Sequence, residues 1–105
     1  MKAIEKLIGK RVVIRSYGAG VFYGTLAEAE PTDDKYTVEL TDARRLWYWD
    51  GAATLTQLAA EGVTAPNNCK FTMRSESVVV TSVIEIHGAT EKAIKSVEAV
   101  KEWKR

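Results

Sequence analysis

Residues 9–26, GKRVVIRSYGAGVFYGTL, hold two apolar runs on either side of a glycine-rich turn. The first run, residues 11–15, is rich in β-branched side chains, which favour strands. Gly18 and Gly20 permit the positive backbone angles of a tight turn. Residues 21–28 predict a second strand, so the stretch indicates a β-hairpin.

The segments on either side of the hairpin continue this pattern. Apolar residues recur at helical spacing in residues 2–8, and Gly9 is placed to end a short helix there. Residues 31–34 predict a polar turn. Apolar and polar residues then alternate over residues 36–40, which indicates a half-buried strand. Residues 41–42, Thr-Asp, predict a turn into the next strand.

The second half of the chain predicts two helices and two strands. Residues 54–57 fit a capping box at the start of a short helix, which Gly62 is placed to end. Strands are predicted at residues 69–74 and 77–87, the second with a bend at residues 81–82. Apolar residues then recur at steps of three and four, which predicts an amphipathic C-terminal helix containing Ala93, Ile94, Val97, Val100 and Trp103.

This order of elements predicts the fold class. About six strands in meander order, with a short inserted helix and a C-terminal helix, indicate an α+β domain built on a small antiparallel barrel or strongly curved sheet. The hairpin of residues 9–26 resembles the first hairpin of SH3-like and Sm-like barrels, in which a glycine lets a strand bend around the core. With 105 residues, we expect a single domain over residues 1–105.

Composition narrows the class of partner. Lys and Arg number 15 against 14 Asp and Glu, a net charge of +1. The chain therefore lacks the positive field that drives binding to long nucleic acid, and we do not expect that partner. Cys69 cannot form an internal disulfide, and the N-terminus lacks the apolar run of a signal peptide. No apolar segment approaches the ~18 residues that span a membrane, so we expect a cytoplasmic protein with no membrane partner.

Residues 44–51 place two arginines directly before three aromatic residues. In a strand, positions 45, 47 and 49 share one face while positions 44, 46 and 48 share the other. Only one face can pack on the domain's own core. The other needs a helix, a second subunit or a ligand to cover it. Guanidinium groups beside planar aromatics suit a ligand with flat rings and phosphates.

The candidate ligand-binding residues follow from this segment. They are the arginines for phosphate, the aromatics for stacking, and two tyrosines of the first hairpin as supplements: Arg44, Arg45, Trp47, Tyr48, Trp49, Tyr17 and Tyr23. Two alternatives stay open. The tryptophans can fill the space between sheet and helix, and the arginines can form ion pairs with Asp42 or Asp50.

Energetics connect this site to assembly. One stacked base contributes about 1 to 3 kcal/mol, and one charge-assisted hydrogen bond about 1.5 to 3 kcal/mol. Association costs about 4 to 15 kcal/mol. We therefore expect a homo-oligomer in which two subunits share the ligand.

Signatures of catalysis are few. His87 is the single histidine, whereas metal sites and acid–base chemistry usually need several converging groups. Cys69 has no recognisable Cys-His arrangement in sequence. Asp33 and Asp34 occupy a turn, which is typical of a solvated loop. We expect no catalytic residue, no metal, no cofactor and no enzyme activity.

Residues 41–49, TDARRLWYW, together with the GKRVVIR start of the hairpin, resemble a family of small proteins encoded by phages and prophages. The resemblance covers most of the chain and transfers no catalytic or ligand residues. A looser similarity of size and style links the chain to phage-encoded sponges, small oligomeric proteins that capture nucleotide second messengers of bacterial immunity without cleaving them.

These resemblances imply a function to be tested. They imply a non-enzymatic protein in the cytoplasm of an infected bacterial host that sequesters a nucleotide-derived immune signal. A cyclic oligonucleotide and an ADP-ribose derivative are the candidate ligands. The alternative is a small barrel module that binds protein or nucleic acid through its aromatic face.

Overall fold

A computed structural model describes residues 2–105 of the chain. It contains three helices and six strands. The helices are α1 (Lys2–Glu5), α2 (Leu55–Glu61) and α3 (Glu91–Ala99), with a single 3-10 turn at Pro66–Asn68. The strands are β1 (Arg11–Ser16), β2 (Gly20–Thr32), β3 (Lys35–Tyr48), β4 (Lys70–Thr72), β5 (Ser75–Gly88) and β6 (Glu102–Trp103).

Four strands close into a ring. β1 pairs with β2 and β5, and β3 also pairs with β2 and β5, all antiparallel. The outer end of β3 continues past this ring to pair with β4, which pairs in parallel with β6. The predicted α+β class with a small barrel-like sheet is confirmed. The parallel β4–β6 pair makes the sheet mixed, where we expected an antiparallel one.

Two apolar cores lie on opposite sides of the barrel wall. Alternation along β1 shows the division, since Val12 and Ile14 enter the barrel interior while Val13 enters a second core. The barrel core collects buried residues from all four ring strands, such as Phe22 and Val80. The helix-side core lies between the wall and the two longer helices, and contains Val13, Tyr23, Leu46, Leu58, Phe71 and Val97 among others. Apolar runs in β1 and β2 are therefore buried on both faces.

Both ends of α2 have the predicted residues. The Thr54 hydroxyl accepts a hydrogen bond from the Gln57 backbone N–H at 3.1 Å, while the Gln57 side chain accepts from Ala53 at 2.8 Å. At the C-terminal end, Gly62 has φ 82° and donates to the Leu58 carbonyl. A Cβ at Gly62 would lie 2.2 Å from the Ser96 Cβ on α3. Gly62 thus ends α2 and allows the two helices to approach each other.

The predicted turn at Thr41 and Asp42 is wrong, because β3 runs without interruption from Lys35 to Tyr48. Between the pairs Thr25–Thr41 and Tyr23–Arg44, β3 has two residues where β2 has one. This is a β-bulge, and Asp42 accommodates it at φ 48°. Aspartate tolerates this backbone conformation better than most residues. The preference that suggested a turn therefore accommodates a bulge within a continuous strand.

Other boundaries differ by a few residues. α1 ends at Glu5 and is followed by turns up to Gly9. β2 extends to Thr32, which shortens the predicted polar turn. The predicted bend in β5 is present at Ser82, with φ 56°. Trp103 lies in β6 and not in the C-terminal helix, which ends at Ala99. Within residues 2–105, no helix is long and apolar enough to cross a membrane.

Candidate functional site

Arg44 lies inside the protein, with 1% of its surface exposed. Its Nη1 donates to the Val97 carbonyl at 2.8 Å, and its Nη2 donates to the Val100 carbonyl at 2.9 Å. It also donates to the carbonyls of Phe71 at 3.3 Å and Thr72 at 3.0 Å. The guanidinium therefore joins β3 to β4 and to the C-terminal end of α3, where backbone carbonyls favour a cation.

This environment separates Arg44 from the expected phosphate site. Burial lowers the pKa of the guanidinium, and the nearby charge of Arg74 lowers it further. An arginine retains its charge despite such shifts. Because its guanidinium faces backbone carbonyls within the fold, we assign Arg44 to the structure and leave it out of the candidate site.

Arg45 points to the opposite, exposed face of β3. Its Nη1 donates to the Ala19 carbonyl at the tip of the β1–β2 hairpin, at 2.7 Å. Its guanidinium carbon lies 4.5 Å from the centre of the Phe22 ring, a cation–π arrangement at the mouth of the barrel. In residues 2–105, no carboxylate oxygen lies within 4.0 Å of the Arg45 nitrogens. Arg45 thus presents a positive charge that the fold does not neutralise.

The alternative ion pairs for the two arginines do not form. Asp42 instead pairs with Arg11, and its other oxygen lies 3.8 Å from Arg74. Asp50 accepts a hydrogen bond from the Asn68 side chain at 2.7 Å. The two carboxylates proposed as partners are therefore engaged elsewhere.

A groove of about 270 Å³ lies between the hairpin tip and the exposed face of β3. Its lining includes Gly18, Ala19 and Gly20 on one side and Arg45, Trp47 and Trp49 on the other. The alternation predicted for Arg45, Trp47 and Trp49 places all three along this groove. We call it the Arg45 groove.

The two tryptophans of the groove differ in burial. Trp47 is 60% exposed, so it does not fill the core. Trp49 is partly buried and packs against the helix-side core. Trp47 therefore presents an exposed indole outside the core, while Trp49 contributes to both the groove wall and the core.

Trp47 also contacts two residues outside the predicted site, Trp103 and Lys70. Its ring centre lies 5.5 Å from that of Trp103 in β6, with the planes inclined at 39°. The Lys70 ammonium lies 5.5 Å from both ring centres. Nothing in the local sequence links these three residues, because the pairing of β3, β4 and β6 brings them together.

The three candidate tyrosines lie in different environments. Tyr17 is 75% exposed at the hairpin turn, and Tyr48 is partly exposed at the end of β3. Tyr23 is fully buried. Its hydroxyl donates to Glu98 at 2.7 Å. Tyr17 is close in sequence to the groove lining, whereas Tyr23 belongs to the helix-side core.

Tyr23 is part of a charge network on the helix side of the barrel. Glu98 also pairs with Arg74, and one of its oxygens lies 3.4 Å from Arg11. The Arg11 guanidinium lies over the Tyr23 ring at 5.1 Å and donates to the Asp42 carbonyl at 2.8 Å. Two cations and two carboxylates thus balance around one phenol, which supports a structural role.

Burial and hydrogen bonding shift the pKa values within this network. Burial, followed by the hydrogen bond to Glu98, raises the pKa of Tyr23 well above its ordinary value. Burial opposes ionisation of Glu98, but hydrogen bonds from Tyr23 and Arg74 outweigh it and lower the pKa of Glu98. The network therefore holds Tyr23 protonated and Glu98 ionised at neutral pH.

The remaining reactive side chains have ordinary partners. Burial raises the pKa of the Cys69 thiol, which donates to the Ala65 carbonyl. His87 contacts Glu85 at 2.9 Å. Among residues 2–105, no group of three or more His, Cys, Asp or Glu side chains is arranged to hold a metal ion.

The fold and the groove define a small α+β barrel protein with a basic, aromatic surface at one end. The chain belongs to a family described as a domain of unknown function, DUF6948, whose model matches residues 9–97. No curated protein and no solved structure matches the chain at a significant level. The matched range contains the Arg45 groove, while Trp103 lies beyond it. The family description names no activity, so the function is argued from the site.

The neighbouring arginines give a first prediction. Arg44→Met removes the donor to four backbone carbonyls, and a buried polar group left unpaired costs about 1 to 3 kcal/mol. We expect this variant to lose at least about 3 kcal/mol of stability in urea denaturation. The matched control Arg45→Met removes one hydrogen bond and an exposed cation–π contact, and should lose less than about 1.5 kcal/mol. Equal losses would contradict the assignment of Arg44 to the structure.

A second prediction concerns pH. Because the pKa of Glu98 is lowered in the folded state, its stabilising effect is present above the unfolded pKa and is lost as the pH falls through the folded value. Glu98→Gln should be less stable than the parent at pH 7 and should show a shallower loss of stability on acidification. The exposed control Glu76→Gln should follow the parent. Parallel acid unfolding curves for the parent and Glu98→Gln would contradict the expectation.

Proposed function

We propose that this chain is a non-enzymatic protein that binds a nucleotide-like small molecule in the Arg45 groove. One observation carries the proposal: an arginine without a carboxylate partner in the described chain, Arg45, shares an open groove with the exposed indole of Trp47. A guanidinium suits phosphate oxygens, and an indole face suits a flat base.

The groove offers a specific mode of binding. A base stacks on Trp47, and the attached phosphate accepts hydrogen bonds from Arg45. Gly18 and Gly20 on the opposite wall lack side chains, so a ligand can approach the hairpin backbone closely. Tyr17 at the turn is the supplementary aromatic contact. Arg45 already lies against Phe22 and Ala19, which limits the ordering that binding requires.

Sequestration fits the site better than catalysis. The groove lining contains no histidine, cysteine or carboxylate, the side chains that most often act as base or nucleophile. Cys69 contacts Asp50 and Ala65. A ligand held in the Arg45 groove would therefore leave unchanged.

The biological context of the proposal comes from sequence resemblance. The similarity of the GKRVVIR hairpin and the TDARRLWYW strand to phage and prophage proteins supports a role during infection of a bacterial host. We propose that the ligand is a nucleotide-derived immune signal, either a cyclic oligonucleotide or an ADP-ribose derivative, sequestered in the host cytoplasm.

A second candidate function rests on a different observation. The end of β3 forms a small sheet with β4 and β6, which we call the outer sheet. Four large side chains on or near it remain exposed: Trp47, Tyr48, Met73 and Trp103. Exposed aromatic clusters are frequent at sites of macromolecular contact. A module that binds protein or nucleic acid through this face is therefore the alternative to a nucleotide sponge.

Variants of the groove test the leading proposal. We expect Arg45→Met and Trp47→Ala each to weaken binding of adenosine 5′-monophosphate or ADP-ribose at least tenfold in calorimetric titration. Such a loss corresponds to about 1.4 kcal/mol. Both variants should keep a cooperative melting transition, because both side chains are exposed and lie outside the two cores. The control Lys95→Met lies on the exposed face of α3 and should bind as the parent does. Normal binding by both groove variants would place the ligand elsewhere.

Recovery of the ligand separates the candidate functions. After exposure to a nucleotide mixture and removal of free material, the protein is heat-denatured and the released molecules are identified by mass spectrometry. An intact nucleotide supports sequestration. A chemically altered one supports an enzyme, and the absence of any nucleotide supports the interaction module.

Assembly gives a further prediction. Val79, Ile84 and Ile8 are exposed apolar residues away from the Arg45 groove, and a homo-oligomer would cover such surface. We expect a mass of at least twice 11.6 kDa at micromolar concentration in light scattering. A monomeric mass throughout that range would contradict the proposed oligomer.

A further inference from the structure

We propose that Trp103 and Lys70 extend the Arg45 groove into a two-part site. The ligand is then a dinucleotide, with one base in each part and Trp47 between them. This inference rests on the proposed function and specifies its ligand class. The first part is the Arg45 groove. The second part is the outward surface of β4 and β6, which we call the Lys70 surface.

The Lys70 surface repeats the chemistry of the groove. Lys70 supplies a cation and Trp103 an indole, as Arg45 and Trp47 do in the first part. The Lys70 ammonium lies 5.5 Å from the ring centres of both Trp47 and Trp103. Trp47 therefore belongs to both parts and connects them.

Strand pairing explains why these side chains share one surface. Leu46 pairs with Phe71, and both are buried on the inner face of the outer sheet. Lys70 and Trp47 are their sequence neighbours and point outward. β6 then adds Trp103 beside Thr72 in parallel register. The surface depends on three strands, which is why spacing along the chain does not reveal it.

The unpaired charges of Lys70 and Arg45 favour an anionic ligand over an apolar one. In the described part of the chain, Lys70 forms no ion pair within 4.0 Å, and the same holds for Arg45. Glu102 is the neighbour of Trp103 in the sequence, and its carboxylate lies 3.9 Å from the Lys104 ammonium. Because side chains alternate along a strand, Glu102 belongs to the opposite face of β6 from Trp103. Two cations beside two indoles that contact each other and keep exposed surface complement a ligand with two phosphates and two bases.

The two-part site also offsets more of the free-energy cost of association than the small groove can alone. A mononucleotide supplies one stacking contact and one phosphate contact against the full loss of translational freedom. A dinucleotide doubles these contacts, while that loss is incurred once. On this proposal one subunit binds the whole ligand, in place of the ligand shared between two subunits that we expected from the sequence.

The test compares two probes by calorimetric titration: adenosine 5′-monophosphate and the linear 5′-phosphorylated dinucleotide of adenosine. We expect the parent protein to bind the dinucleotide at least tenfold more tightly. Lys70→Met should weaken dinucleotide binding at least fivefold and change mononucleotide binding less than twofold. The control Lys101→Met alters an exposed lysine just before β6 and should bind both probes as the parent does.

A second variant examines the Trp103 indole. Trp103→Ala should reproduce the effect of Lys70→Met, and its melting curve shows whether the fold is retained. Equal affinity of the parent for the two probes would overturn the two-part site and leave the proposed function intact. An equal loss of both probes in Lys70→Met would overturn it as well. Failure of the parent to bind either probe would overturn the proposed function and the inference together.

Discussion

The hydrogen bonds of the buried Arg44 guanidinium hold together the parts of the protein that meet beside the barrel. They reach the carbonyls of Phe71 and Thr72 in β4 and those of Val97 and Val100 at the end of α3. These acceptors lie in separate elements, and no short side chain could reach all of them. A planar group with five donors can do so. Since strand residues alternate, turning Arg44 inward also turns Arg45 and Trp47 outward, so the interaction that closes the fold also orients the groove.

Two adjacent arginines therefore have opposite environments. Arg44 is surrounded by backbone carbonyls inside the protein, whereas Arg45 lies at the barrel mouth with Phe22 beneath it. The contrast comes from position on the strand, because the two side chains have the same chemistry. It also shows why neighbouring arginines in a small domain cannot all be assigned to a ligand site together. Each guanidinium has to be judged by the acceptors that surround it.

Local rules predicted the elements whose causes are local. The hairpin of residues 9–26, the caps of α2 and the apolar face of α3 follow from glycine, threonine and periodicity in adjacent positions. The continuity of β3 could not be predicted in this way. Asp42 favours turns and bulges alike, and only the pairing with β2 distinguishes them. The burial of Arg44 depends on carbonyls 27 to 56 residues away. Trp103 was assigned to a helix that ends four residues earlier, because its periodicity continues past the last hydrogen-bonded turn.

The exposed pair Trp47 and Trp103 has a consequence for spectroscopy. All three tryptophans of the chain lie at the groove end, since Trp49 lines the groove beside Trp47. The tryptophan fluorescence of the protein therefore originates at that end, and the barrel core of Val12, Ile14 and their neighbours contains no tryptophan. A tryptophan signal from this chain reports local events around β3 and β6, so its change on heating describes the outer sheet, and melting of the barrel has to be followed by another probe.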